Sequence, residues 1–436
     1  MRKPLGLAIL AAGILTAGAI AMRSRHVPVP PPVPECSPDN GDITLPAGFC
    51  ASVFADEVGV ARHILIAPNG DLLISAGDAD AAGTSHVRGA KRNSAIVALR
   101  DTNHDGRADL EARADLPTGT GLALWNGFLY FSNSTTVMRT PWSASKLGVA
   151  DDYEIVVNAF PGRPGHGSLA LAIDDSGFIY VGVGSAGNMC NAGGQPLDPC
   201  PQLSQRAGIW RYRADKLHQR HPTDGQQVAT GVRNAVAMTW SRDLGGLYSL
   251  SHGRDALYQN YPKLYSRVAG AENPAEEFAR VKVGDDWGWP YCYYDLTAKK
   301  KLLNPEYGGD AKTQGRCATV VNPLIGFPGH WGPDGLLFYT GTMFPPQYRG
   351  GAFIAFHGSW NRSPEPQAGF NVTFVPFTKG APAGNYSVFA SGFDGGHLSN
   401  SSADHRPVGL AQGRDGSLFV SDDQAGRIWR IVYVGR

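Results

Sequence analysis

The chain has 436 residues, 42% of them hydrophobic and only 18% charged, with 55 glycines and 31 prolines, a composition that buries a core and turns often. Thirty-nine basic residues against 38 acidic ones give a net charge of +1, which excludes the strong field expected of a nucleic-acid binder. The predicted partners therefore do not include nucleic acid.

Taken in chain order, Arg2 and Lys3 precede an uncharged run from Leu5 to Met22, with Ala19-Ile20-Ala21 as a small-residue cleavage site. Residues 1–22 are predicted to be an export signal or a retained N-terminal anchor, the latter giving an N-terminal membrane tether. Residues 23–44 hold the Val27–Pro34 proline tract and read as an extended tether. Six cysteines fall as three sequence-local couples, Cys36 with Cys50, Cys190 with Cys200 and Cys292 with Cys317. Export places them in an oxidising compartment, so three bridges and a periplasmic or secreted location are expected.

From residue 45 to 436 one pattern recurs: a short strand, a Gly-containing turn, then a second apolar strand. Its copies run Ile64–Ser75, Gly121–Tyr130, Leu169–Val181, Ala237–Ser249, a diverged copy at Leu336–Tyr339 with Ala352–Phe356, and Gly409–Val420. A single hairpin cannot bury its own apolar face, so a repeated sheet must stack on its neighbours. The fold class is predicted to be all-β, a six-bladed β-propeller, in preference to a β-sandwich. Two stretches, Met189–Arg206 and Tyr258–His330, read as loop insertions holding two of the cysteine couples.

Asp101-Thr102-Asn103-His104-Asp105-Gly106-Arg107-Ala108-Asp109 sets oxygen ligands Asp101, Asn103, Asp105 and Asp109 around a turn glycine. Ala112 stands where an EF-hand needs glutamate and the flank reads as strand, so a structural calcium site and a carboxylate-capped turn both fit. His166, Arg233-Asn234 and Arg406 each stand just before a blade strand and so face one mouth of the ring. That convergence offers a base beside two guanidiniums suited to an anionic ligand. Ser251–Asp255 and His357–Arg362 follow blade strands, and Asp285–Tyr291 forms an aromatic cluster that serves either as a sugar platform or as a packing plug. Gly182-Val183-Gly184-Ser185-Ala186-Gly187 matches a dinucleotide fingerprint but has no helix-forming sequence after it, and reads as a strand-end turn.

The loop histidine ahead of Tyr180–Ser185, the Gly231–Asn234 segment, Trp287-Gly288-Trp289-Pro290 and Arg406–Leu410 together resemble the soluble quinoprotein sugar dehydrogenases. That family of glucose and sorbosone dehydrogenases uses pyrroloquinoline quinone (PQQ), and the resemblance spans about Leu45 to Val434, nearer the sorbosone-type branch. It implies a quinone over the propeller axis, a calcium ion on the main-chain carbonyls of Gly253 and Arg254, and His166 as the base for the substrate hydroxyl. It implies further that Arg233 shares the catalytic site, that Arg233 and Asn234 adjoin quinone and substrate, and that Arg362 and Arg406 hold the cofactor carboxylates. A sugar substrate and an external electron acceptor follow from the same resemblance. Two alternatives are a calcium-dependent propeller lactonase and a non-catalytic sugar-binding propeller.

Overall fold

A computed structural model describes Met1 and residues 35–77 and 94–435. The chain divides into Met1–Val33 and Pro34–Arg436. The expected signal or anchor and most of the tether lie outside the described residues. Among the described residues no helix is long and apolar enough to cross a membrane.

Six sheets follow one another along the chain and form the six blades of a propeller, each with four antiparallel strands, the second and third extended by a short parallel fifth strand. The first comprises Val60–Ile66, Leu72–Gly77, Ala95–Arg100 and Leu110–Ala114; the second comprises Leu122–Trp125, Phe128–Ser132, Val137–Pro141 and Glu154–Asn158. The third begins with Leu171–Ile173 and Phe178–Val183, the fourth with Met238–Ser241 and Gly246–Ser251, and the fifth with Pro333–Phe338 and Ala352–Phe356. In the last blade Pro407–Gln412, Leu418–Asp422 and Ile428–Tyr433 are completed by the early strand Phe49–Ala55, which pairs antiparallel with Ile428–Tyr433. All six predicted copies thus supply the first two strands of a blade.

The core lies between blades rather than within one sheet. Leu129, Phe131 and Met138 of the second blade pack on Leu73, Ile96 and Ala98 of the first, and comparable clusters fill the other junctions. Sheets covered on both faces read as continuous apolar runs, which is why every residue of Leu72–Gly77 is buried. Each fully buried Leu, Ile or Phe contributes about 1.5–3 kcal/mol.

One predicted loop needs correcting. Within Tyr258–His330, Glu276–Val281 and Ile325–Phe327 are the third and fourth strands of the fourth blade. The adjacent acids of Glu276-Glu277 disguise the strand, yet both are buried: Gly253 N donates to Glu276 at 3.1 Å, and Lys301 pairs with Glu277 at 2.5 Å. The three expected disulfides are present. Trp287 and Trp289 are 2% and 4% exposed, so that aromatic cluster is a packing plug. Phe178–Val183 runs into a turn and not a helix, as expected of the glycine-rich segment.

Candidate active site at the axial mouth

Main-chain hydrogen bonds join the pre-strand loops of the third and fourth blades. His166 N donates to Ser185 O at 3.0 Å, Ser185 N to Arg233 O at 2.8 Å, and His252 N to Asn234 O at 3.0 Å. Gly184 makes the close approach feasible, because a Cβ there would run into His166 and would lie 3.0 Å from Asn234 Oδ1. His166, Arg233 and Asn234 are therefore brought together, as the sequence predicts.

Nδ1 of His166 lies 3.1 Å from both the carbonyl oxygen and Oγ of Ser185. Ser185 Oγ gives its proton to Gly187 O at 2.7 Å, and a carbonyl oxygen only accepts. Nδ1 must then carry the hydrogen, leaving a lone pair on Nε2, which has no protein partner among the described residues. Burial first, then the charges of Arg233 and His252, pushes the pKa of His166 down to about 3. The ring is a neutral, oriented acceptor at pH 7.

Arg233 is 5% exposed. Its Nη1 donates to Gly253 O at 2.7 Å, while Nη2 donates to Asp255 Oδ2 at 2.7 Å and Asn188 Oδ1 at 3.2 Å. Arg233 Nε and Asn234 Oδ1 are buried with no partner. Orphaned polar atoms cost free energy unless a ligand satisfies them, which makes these two the candidate ligand contacts of the site. Asp255, quoted in the sequence but given no role, is the hub of the arrangement. It also takes a hydrogen bond from Asn361 Nδ2 and lies 3.6 Å from His330 Nδ1, while its main-chain N donates to Asn188. Burial alone would raise its carboxyl, but Arg233 and His330 hold it well below the usual carboxylate range.

A second network crosses the axis. Arg62 of the first blade reaches Asp423 of the last at 2.5 Å and Asp334 of the fifth at 3.1 Å, and His357 Nε2 lies 3.0 Å from Asp423. His252 Nε2 lies 3.2 Å from Asp334; burial opposes its protonation, yet Asp334 and Glu276 raise its pKa. Beside this network is a cavity of about 230 Å³ to which Arg62, Arg163, Thr118, Thr120, His357 and Asp423 contribute, with Gly77, Gly119 and Gly167 leaving space where side chains would stand. Arg62 enters this cavity already paired with two carboxylates, whereas Arg163 bonds nothing among the described residues and leaves a guanidinium for an anionic, planar ligand, so the residues present fit the quinone that the sequence resemblance implies.

Arg406 and Arg362 are placed differently from expectation. Arg406 is wholly buried, with Nε donating to Asp423 Oδ1 at 2.9 Å and Nη1 to Asn400. Arg362 gives Nη1 to the carbonyls of Ala271 and Gly329 at 2.6 and 2.9 Å, Nε to Pro366 O and Nη2 to Glu272. Neither guanidinium opens on the axial cavity; Arg62 and Arg163 do. Arg62-His63 directly precedes the repeated copy that begins at Ile64, a signal that could have found it, although in the structure the pair lies within Val60–Ile66, at the register shift between Ala61 and Ile64.

The Arg254 side chain turns away to Glu306 at 2.5 Å, and the Gly253 carbonyl accepts from Arg233. No group of three or more His, Cys, Asp or Glu side chains is arranged to hold a metal among the described residues. Asp101 to Asp109 forms the connection between two strands of the first blade. Gly106 N donates to Asp101, Asp105 N to Asn103 Oδ1, and Thr102 N to Asp109, so these oxygens cap the turn.

A model of the TrAA12-like family matches residues 43–434. The chain belongs to the TrAA12-like family. A pyrroloquinoline quinone-dependent pyranose dehydrogenase from Coprinopsis cinerea is 28% identical over 293 residues, covering 58% of this chain and 37% of that protein. An uncharacterized protein of Borreliella burgdorferi is 31% identical over 207 residues, 47% of this chain and 48% of the other. The match therefore spans under half the length of these curated relatives. Among solved structures, the PQQ domain of the Coprinopsis cinerea pyranose dehydrogenase aligns with a TM-score of 0.72 at 20% identity, over 92% of this chain and 98% of that one. A Trichoderma reesei family AA12 enzyme gives 0.70 at 20% identity, over 90% and 97%. These solved structures share the fold of this TrAA12-like chain.

Proposed function

We propose that the protein is a PQQ-dependent dehydrogenase that oxidises the anomeric hydroxyl of a pyranose and passes the electrons to an external acceptor. The observation that carries this reading is the bare Nε2 of a neutral His166, whose neighbour Gly167 lines the cavity that the unpaired Arg163 also lines. Family membership and the pyranose dehydrogenase relative support the cofactor and the substrate class.

Bound at the axis, the quinone supplies a hydride acceptor. His166 Nε2 takes the hydroxyl proton as the C–H bond is broken and the carbonyl of the lactone forms. Ser185 holds the imidazole in the required tautomer. Arg233 Nε and Asn234 Oδ1 complete their hydrogen bonds on the ligand side, while Asp255 keeps the Arg233 guanidinium in place. Arg163 would hold a carboxylate of the cofactor, with Arg62 fixed beside it by Asp334 and Asp423. Calcium, if it joins, rests on the main-chain oxygens of Gly253 and Arg254, and the Arg233 bond to Gly253 is the contact it must displace. Three disulfides fit an exported enzyme, periplasmic or secreted. The lactonase alternative needs a carboxylate-rich metal shell, whereas Asp334 and Asp423 are paired with Arg62, Arg406 and histidines.

The test is to titrate the cofactor-free protein with PQQ, with calcium or with chelator, and to follow the quinone spectrum and dye reduction over a panel of pyranoses. A bound-quinone spectrum with sugar-dependent dye reduction is expected. No quinone uptake under either condition overturns the reading, and equal uptake in chelator removes calcium from it.

A further inference from the structure

Beyond the axial site, a second and wider cavity opens on the rim, with a volume of about 570 Å³. That lies within the range of roughly 300–1,000 Å³ typical of small-molecule sites. One wall is the loop stapled by Cys190–Cys200, contributing Asn188, Met189 and Asn191; the other is Gln259, Asn260, Tyr261 and Glu306.

Two features set its chemistry. Its only carboxylate, Glu306, is neutralised by Arg254 at 2.5 Å, and no cation faces into it, so the site suits an uncharged ligand, unlike the axial cavity with its unpaired Arg163. The side-chain amides of Asn191 and Asn260 have no protein partner among the described residues, and Gln259 uses only its Nε2, on Ser363 O at 2.8 Å. A primary amide offers a donor and an acceptor side by side, the pairing that vicinal hydroxyls require.

The cavity adjoins the catalytic arrangement through Asn188. Its Oδ1 accepts from Arg233 and from Asp255 N, its Nδ2 donates to Asp255 O at 2.9 Å, and its carbonyl accepts from Trp289 Nε1 at 3.0 Å. Three side-chain bonds and one main-chain bond fix Asn188, so this wall is rigid and the cleft lies one residue away from Arg233.

We propose that this cleft is a second sugar subsite: the ring oxidised beside His166 is the reducing-end unit of an oligosaccharide, and the adjoining unit lies between Asn191 and Asn260. The inference rests on the sugar-oxidising reading and extends it from single pyranoses to chains of at least two.

The experiment compares kcat/KM of the holoenzyme for a monosaccharide with that for its α-1,4 and β-1,4 disaccharides, in the native protein and in Asn260→Ala and Asn191→Ala. Both side chains are exposed and bond nothing within the fold, and alanine keeps the main-chain bonds of Asn260 and Asn191, so neither substitution threatens folding. The native enzyme is expected to favour one disaccharide about tenfold, and the double variant to lose that preference while its monosaccharide kcat/KM stays within about twofold. Equal kcat/KM for single and linked sugars, or equal losses on both in the variants, overturns the subsite. If no sugar is oxidised at all, the sugar-dehydrogenase reading fails by itself. Saturation-transfer NMR of the same disaccharides on the protein then decides the subsite, which stands if binding is lost in Asn260→Ala and falls if the native protein gives no transfer.

Discussion

Arg406 stands behind Asp423, its Nε 2.9 Å from Oδ1, and Asp423 in turn reaches Arg62 and His357 at the axial cavity. The arginine that the sequence marks for the cofactor thus acts at one remove, by fixing a carboxylate that fixes the cavity's own cation and imidazole.

Arg406→Ala is accordingly expected to act on stability before binding. Removing it leaves Asp423 with part of its charge uncompensated inside the ring, a loss of about 3–5 kcal/mol. Arg163→Ala should leave the melting temperature unchanged, because this exposed side chain bonds nothing in the fold, yet weaken PQQ uptake by about 1.5–3 kcal/mol. Denaturant melts and a quinone titration of both variants check the contrast, and the reverse pattern refutes it.

His166→Ala should keep the quinone spectrum and lower turnover per bound quinone by about a hundred- to ten-thousand-fold. Ser185→Ala, which removes one of two Nδ1 partners, should show a smaller loss in kcat. Rapid-mixing reduction of the bound quinone by sugar measures both. A loss of cofactor uptake in His166→Ala would make the residue a binding group instead.

Stability should fall on acidification below neutrality. Burial first, then Arg62, pushes His63 down to about 4, and His166 lies at about 3, against a reference of about 6.5 for a free imidazole. Between about pH 6.5 and 4 the unfolded chain binds protons that the folded one refuses, so unfolding free energy rises with pH across that window. His252, raised by its acids, works in the opposite sense, its stabilisation present at low pH and lost as pH rises through its folded value. The depressed carboxylates Asp255, Asp334 and Asp423 add a separate loss once pH falls below about 4. Urea melts at pH 7 and 5 should differ, and His63→Gln should flatten the difference.

Replacing Cys190 and Cys200 by Ala should cost about 3 kcal/mol, since the bridge closes a loop of sequence separation 10; the Cys292–Cys317 loop, at 25, should cost slightly more. The first pair should in addition raise KM for linked sugars, because that loop is one wall of the rim cleft. Thermal melts with paired kinetics distinguish the two effects.

The fold was legible because each blade repeats its first two strands in nearly the same terms, as Ile64–Ser75 and Gly409–Val420 do. Outer strands were harder: Glu276–Val281 carries two acids and an arginine, and only Lys301 and the Gly253 and Gly332 amides make burying Glu276 and Glu277 feasible. At the site, position in the repeat located His166, Arg233 and Asn234. It could not say which way Arg362 and Arg406 point, since that depends on carbonyls and acids far off in sequence. Asp255 was overlooked for the same reason: its partners Arg233, His330 and Asn361 come from three separate segments.

The seam of the ring joins Phe49–Ala55 to Ile428–Tyr433, so the first described strand waits for the last. A chain delivered N-terminus first therefore carries an open edge throughout its synthesis, and the circle shuts only when the final blade arrives. A chain shortened by its last twenty residues would retain five complete blades and lose the ring, leaving Pro407–Gln412 and Phe49–Ala55 without the two strands that lie between them. Closure thus acts as a proofreading step: only a chain that extends through Ile428–Tyr433 can complete the ring at whose mouth His166 stands.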